Sequence, residues 1–304
     1  MKRLAIALVA LLALTGCAET GSLIDKAQID LGLEALTEEL IAVPGVTGVE
    51  SHAELRGDYS YTITIAATAQ TLPDSALRQV GAIAMEHLGT GVFDRHRVTF
   101  SIGSDAGTHL GMNRFSGFDL DRELDYLAAL SAAYGAPLGL TFYDDTRQIS
   151  SLAPSANPDW EAMRAVPDDS PLERYWYLDP VSSFGALPDA ATTDLAAALH
   201  QVVPVGSDLS LEIAGVDVTL MDAAYSDLSA PAASPSWAIA QQVATLVAAS
   251  ELPVPHLAYY GTGFAVAHHG PCTVDDLPVT PEDEALAAAL GEVEWHPGYC
   301  PLPS

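Results

Sequence analysis

Lysine is nearly absent from this chain. Lys2 and Lys26 are the only two among 304 residues, and 12 basic side chains face 40 acidic ones for a formal charge of −28. Binding to a phosphate backbone draws on clustered Lys and Arg, and here the basic residues are scattered, so nucleic acid is excluded as a partner. The same charge opposes attraction to an anionic lipid surface. Schiff-base chemistry is left with almost no candidate. Cysteine is scarce too: three residues, with no Cys-x-x-Cys spacing for a redox motif or a closed zinc set. Long apolar runs are missing apart from Leu4–Leu14, eleven residues where a span needs about twenty. Catalytic signatures are likewise missing. Gly103-Ser104-Asp105-Ala106-Gly107 puts serine in the wrong place for a nucleophile elbow, and Ser104, Asp105 and His109 are neighbours in sequence only. Gly89-Thr90-Gly91 and Gly261-Thr262-Gly263 lack the third glycine of a dinucleotide site, and no phosphate-loop lysine exists.

What is present begins at the N-terminus. Lys2 and Arg3 precede the short apolar run, which ends in Leu14-Thr15-Gly16-Cys17. This order resembles a bacterial lipoprotein signal with its lipobox. The resemblance covers only the leader. It implies cleavage before Cys17, diacylglycerol on that thiol, and a body held at the extracytoplasmic side of the cell membrane by its lipid. Loss of Lys2 and Arg3 would leave 10 basic residues against 40 acidic ones, a formal −30. The stretch 17–28 then reads as a lipidated tether, able to extend about 40 Å at about 3.5 Å per residue. With Cys17 lipidated, Cys272 and Cys300 remain as an even pair in an oxidising compartment, and a disulfide pinning the C-terminal tail is expected.

Hydrophobic spacing organises the rest. Ile29, Leu33, Leu36, Leu40 and Val43 recur at helical spacing up to Pro44-Gly45. Val46–Leu55 and Tyr59–Ala67 read as a hairpin around Arg56-Gly57-Asp58, where the Gly-Asp pair suits a tight turn better than a recognition tripeptide. A helix with Leu77, Val80, Ala84 and Leu88 follows, and then a strand with Val98, Phe100 and Ile102. Leu120, Leu124, Leu127 and Leu130 mark a helix closed by Gly135, before a strand with Leu138, Leu140 and Phe142. The order helix, two strands, helix, strand recurs near the C-terminus: Leu195, Leu199 and Val202; Leu209–Ile213; Val216–Leu220; Ile239, Val243 and Leu246; and one strand-like stretch over 257–266. Val181–Thr193 and Ser226–Ser236 have loop composition, and a short helix is expected over Pro281–Leu290.

The predicted fold class is α+β: tandem ferredoxin-like modules of the split βαβ type, with helices packed on mostly antiparallel sheets. An irregular α/β domain whose elements merely repeat is the competing reading. The boundaries are a signal peptide at 1–16, the tether at 17–28, a first module at 29–112, a middle segment at 113–189, a second module at 190–267 and a disulfide-pinned tail at 268–304.

Few residues offer chemistry. His268, His269 and His296 lie near the cysteine pair and near Asp275 and Asp276, a ligand-like density, yet no two histidines have helical ligand spacing and a disulfide would consume both sulfurs. No metal or cofactor is therefore expected. Asp119, Asp121 and Asp125 lack the glycine and terminal glutamate of a calcium loop and read as a helix start. Asp144-Asp145 and Asp168-Asp169 read as turns. Tyr175-Trp176-Tyr177 and Tyr259-Tyr260 could form a stacking surface or a core. The function these readings support is a non-catalytic interaction or binding module anchored by lipid at the outer face of the membrane, with an envelope protein as its partner. A small-solute or metal-ion binder comes second and an envelope hydrolase third.

Overall fold

A computed structural model describes residues 18–56, 60–105, 107–153, 155, 158–203, 209–222, 230–261, 263–272, 278–291 and 295–300, with the side chains of 18–24 and Leu209 left aside. The leader and Cys17 lie outside these residues. The architecture is mixed α/β, and the chain divides into two compact units, Met1–Arg174 and Tyr175–Ser304. The break falls inside the middle segment of the sequence reading.

In the first unit, helix α1 (Ala18–Ile41) leads into a hairpin of β1 (Val46–Leu55) and β2 (Tyr61–Ala69). Helix α2 (Asp74–Leu88) then carries the chain to β3 (Arg97–Ser104), which pairs parallel to β2. The pattern repeats: β3 turns back into β4 (His109–Met112), α3 (Leu120–Tyr134) crosses over, and β5 (Leu138–Phe142) lies parallel to β4 before folding back into β6 (Thr146–Ser151). A short helix α4 (Trp160–Ala165) closes the unit.

The strands thus follow one another in chain order, and this corrects the ferredoxin-like reading. A split βαβ unit places another strand between the two that a helix joins; here β2 pairs directly with β3, and β4 with β5. The recurring element is a helix followed by a hairpin. Two hairpin strands of this unit were hidden in the sequence. β4 follows Gly103–Gly107, which read as a loop, and β6 begins just after the Asp144-Asp145 turn. Residues 18–28, the stretch read as a tether, are helical and form the start of α1, rising about 1.5 Å per residue.

Alternation assigns the faces of this sheet. Ile102, Leu110, Leu140 and Ile149 share one register row and are buried. They join Ile63, Ile65 and Phe100 as a core whose helical side comes from Leu36, Val80, Leu127 and Leu130. Each such side chain stabilises by about 1.5–3 kcal/mol when fully buried. The approach of α2 is set by Gly81, where a Cβ would sit 2.5 Å from Leu120 Cδ2 and 3.2 Å from Leu110 Cδ2. Asp119 caps α3, its side chain accepting from the Arg122 amide at 3.2 Å, and Gly135 ends it in the left-handed region at φ 77°. The acidic run is thus a helix start, as its composition suggested.

The second unit repeats the order. β7 (Glu173–Leu178) and β8 (Val181–Phe184) form a hairpin, α5 (Ala190–His200) leads to the hairpin of β9 (Leu209–Ala214) and β10 (Asp217–Asp222), and α6 (Trp237–Ala248) to that of β11 (His256–Tyr260) and β12 (Phe264–His269). β8 pairs parallel to β9, and β10 parallel to β11. Helix α7 (Pro281–Leu290) and the edge strand β13 (Trp295–Pro297), antiparallel to β12, complete it. Two sequence readings change here. Val181–Phe184 is a strand rather than the start of a loop, and 257–266 is a hairpin turning at Gly261 rather than one strand. The core gathers Leu195, Leu199, Ile213, Val218, Leu257 and Trp295 among others. Thr280 and Asp283 form a capping box on α7, and Asp283 Oδ1 accepts the Val266 amide at 2.7 Å, fixing the helix to β12.

Candidate functional site

Period-two alternation gives the sheet of the second unit a face opposite its core. Val218, Leu257 and Ala267 point into the core, so their neighbours Asp217, His256 and His268 point away. Register places Asp217 opposite His256, His256 opposite His268, and His268 opposite His296. One carboxylate and three imidazoles therefore cross four adjacent strands in a single row.

Hydrogen bonds assign the tautomers. His256 Nε2 accepts the Cys300 amide at 3.2 Å, so Nδ1 carries the proton and donates to Asp217 Oδ1 at 2.7 Å. Both ring nitrogens are thus occupied, and this Asp–His pair has none left to act as a base. It holds the C-terminal tail. His268 Nδ1 donates to the Gly298 carbonyl at 2.9 Å. Burial lowers the pKa of His268, the Gly298 carbonyl works against that shift, and the neighbouring His296 and His256 add to it.

The sequence candidates separate here. His268 and His296 come together, ring centroids 5.2 Å apart, while His269 turns to the opposite side and packs its ring 5.5 Å from that of Trp295. Asp275 and Asp276 lie outside the described residues. Cys272 and Cys300 are joined by a disulfide with Cα atoms 5.5 Å apart. One ligand atom each from His268, Cys272 and Cys300 lie within 4.8 Å of one another. The bridge and ligation of a metal by two thiolates would use the same sulfurs, so each excludes the other.

Farther along the same face, beyond Thr219, Ala258 and Val266, runs an apolar row. Met221 pairs with Tyr260, and Tyr260 with Phe264. Their side chains are 41%, 39% and 38% exposed, and Tyr299 of the pinned tail is 43% exposed. The Tyr260 and Phe264 rings are 4.5 Å apart, Phe264 and Tyr299 stack at 6.1 Å, and Tyr299 meets His256 edge-on at 5.0 Å. Tyr259 faces the other way, wholly buried, and its hydroxyl donates to Asp222 at 2.7 Å. The pair Tyr259-Tyr260 is divided between core and surface. Trp176 is likewise buried, with Nε1 donating to the Gly185 carbonyl, whereas Tyr177 is exposed.

A second concentration of chemistry belongs to the first unit. Arg147 on β6 is wholly buried, its Nη1 bonded to Glu123 of α3 and its Nη2 paired with Asp168, with Cζ 4.5 Å above the Tyr126 ring. Arg174 approaches the same Asp168 oxygen at 3.0 Å. Burial raises the Tyr126 pKa, the Asp168 charge adds to this, and the Arg174 and Arg147 cations oppose it. Arg147, Glu123, Tyr126 and Asp168 border a cavity of about 250 Å³ with Arg122 and Asp169.

No protein family, curated protein or solved structure matches this chain.

The remaining motifs resolve into structural roles. Asp121 and Asp125 bind Arg78 from α2, and Asp145 accepts from Thr146 at 2.9 Å in the turn before β6. Ser104 Oγ accepts the Thr108 amide at 3.1 Å inside a turn, and burial lowers the pKa of His109. Of Arg56-Gly57-Asp58, only Arg56 is among the described residues. Asp217 and His256, 39 residues apart, were missed by sequence reasoning, which weighed ligands by closeness along the chain. Their outward parity was visible beside Val218 and Leu257; the parallel register that joins them was not.

Proposed function

We propose that this chain is an exported, lipid-anchored, non-catalytic interaction module that works at the outer face of the cell membrane and docks an envelope protein through the open face of its second unit. The observation that carries the reading is the row of Met221, Tyr260 and Phe264 with Tyr299 beside it, four large apolar side chains exposed together on one surface. Isolated exposed apolar residues are ordinary, but contiguous aromatic ones rimmed by polar groups mark contact sites. The Asp217–His256–Cys300 bonds and the disulfide hold Tyr299 in that row, which cuts the ordering cost of association. Both ring nitrogens of His256 in the Asp217–His256 pair are committed to structure, which favours binding over catalysis.

The leader ending in Cys17 supports the address. No helix among the described residues is long and apolar enough to cross a membrane, so the lipid is the anchor in this reading. The test of address is fractionation: Cys17→Ser moves the protein out of the membrane fraction, and an unchanged distribution refutes the anchor. The test of docking is loss of the cross-linked partner on Phe264→Asp, with the melting temperature kept.

A further inference from the structure

The cavity beside α3 in the first unit takes no part in docking through the second. Its wall includes two charges drawn out of water: Arg147 has no exposed surface and Glu123 is 1% exposed. Such pairs rarely repay their desolvation against apolar replacements, so their retention asks for a role.

Their pairing is incomplete. Glu123 Oε2 receives Arg147 Nη1, but Glu123 Oε1 accepts no hydrogen bond and Arg147 Nε donates none. Arg147 Nη2 lies at ion-pair distance from Asp168, yet it too makes no aligned hydrogen bond. The contact with Asp168 is one of charge without direction. Nε and Nη2 form one edge of the planar guanidinium, the fork that a carboxylate fits with two parallel bonds. A two-donor edge that makes no aligned hydrogen bond and an unused carboxylate oxygen thus belong to one buried cluster, and each such unmade bond is costly.

Asp168 can yield the fork. It also holds Arg174 at 3.0 Å, and its Oδ1 accepts the Ser170 amide at 3.1 Å, so it keeps two partners when Arg147 turns to another carboxylate. The cavity, about 250 Å³, equals about eight waters at 30 Å³ each, just below the usual range for ligand pockets. That is room for a small solute. Its lining adds the exposed carboxylate of Asp169.

We infer that this cavity binds a small zwitterion of the α-amino-acid class. The carboxylate of the solute takes the Nε–Nη2 edge of Arg147 in place of Asp168, and its ammonium donates to Glu123 Oε1 and to Asp169. Neither a simple anion nor a simple cation satisfies both sets.

The experiment is calorimetric titration of the purified full chain with L-alanine, using propionate and ethylamine as controls that carry one head each. L-Alanine gives saturable heat, and both controls bind about tenfold more weakly or worse. Asp169→Asn weakens L-alanine about fivefold without moving the melting temperature, and Arg147→Lys, which keeps the charge but loses the fork, weakens it further. Should Arg147→Lys fail to fold, the exposed Asp169→Asn carries the test. Absence of saturable heat up to about 10 mM, equal binding of either control, or full affinity in Asp169→Asn overturns the assignment.

Discussion

The ring of Tyr260 at the end of β11 lies 4.5 Å from that of Phe264, which opens β12, and both remain more than a third exposed. The two sit on either side of the hairpin turn at Gly261 and Gly263, directly opposite in register. A cross-strand aromatic pair stabilises a hairpin by about 0.2–1 kcal/mol, but a pair placed for stability alone gains more from burial. The docking proposed above would complete that burial.

The disulfide makes the first prediction. Closing a separation of 28 residues contributes about 3–4 kcal/mol in the chain-entropy account. Reduction, or Cys300→Ser, therefore lowers the melting temperature by several degrees. Alkylation and intact mass show two additional thiols only after reduction. Two reactive thiols in the unreduced protein would contradict the bridge.

Acidification makes the second. Burial holds the pKa of His268 below the usual value near 6.5, so the unfolded chain takes up the proton first as pH falls. The unfolded state binds more protons in that window, and stability falls with pH below about 6.5. His268→Gln removes this term: the stability difference between wild type and variant shrinks from pH 7.5 to pH 5.5. A difference that grows on acidification has the wrong sign for the account.

The buried cluster makes the third. Arg147→Met strips the buried Glu123 carboxylate of its bond from the guanidinium and costs about 3–5 kcal/mol. Arg147→Met with Glu123→Leu replaces both charges by apolar groups and is less destabilised than the single variant, by at least about 1 kcal/mol. Chemical denaturation of the three proteins measures it, and a double variant no more stable than Arg147→Met would contradict the account.

Much of this was legible in the sequence, and the failures have physical causes. Helices with sustained apolar spacing and clear stops were readable: Leu77 to Leu88 before Gly89, Leu120 to Leu130 before Gly135, and the capped segment after Thr280. Short strands were not. His109–Met112, Thr146–Ser151 and Val181–Phe184 are four to six residues long, too short for alternation to stand out, and each forms from its hairpin partner more than from its own propensity. Without them the helix–hairpin repeat looked like a split βαβ unit. The site was legible only where it was local. His268, His296 and the cysteines drew notice because they cluster near the C-terminus, whereas Asp217 and His256 are joined by register. Arg147 gave no sign at all, because Thr-Arg-Gln just after a turn is ordinary surface composition. Only the fold shows that it is buried against Glu123 and Asp168.

The most direct test of the central claim is cross-linking in intact cells followed by mass spectrometry, comparing wild type with Phe264→Asp, Tyr260→Asp and the unanchored Cys17→Ser form. The account predicts a reproducible envelope protein on the wild type that is lost from all three variants, while the two face variants stay folded and membrane-bound. Retention of the same partner by folded Phe264→Asp and Tyr260→Asp would contradict docking through this face.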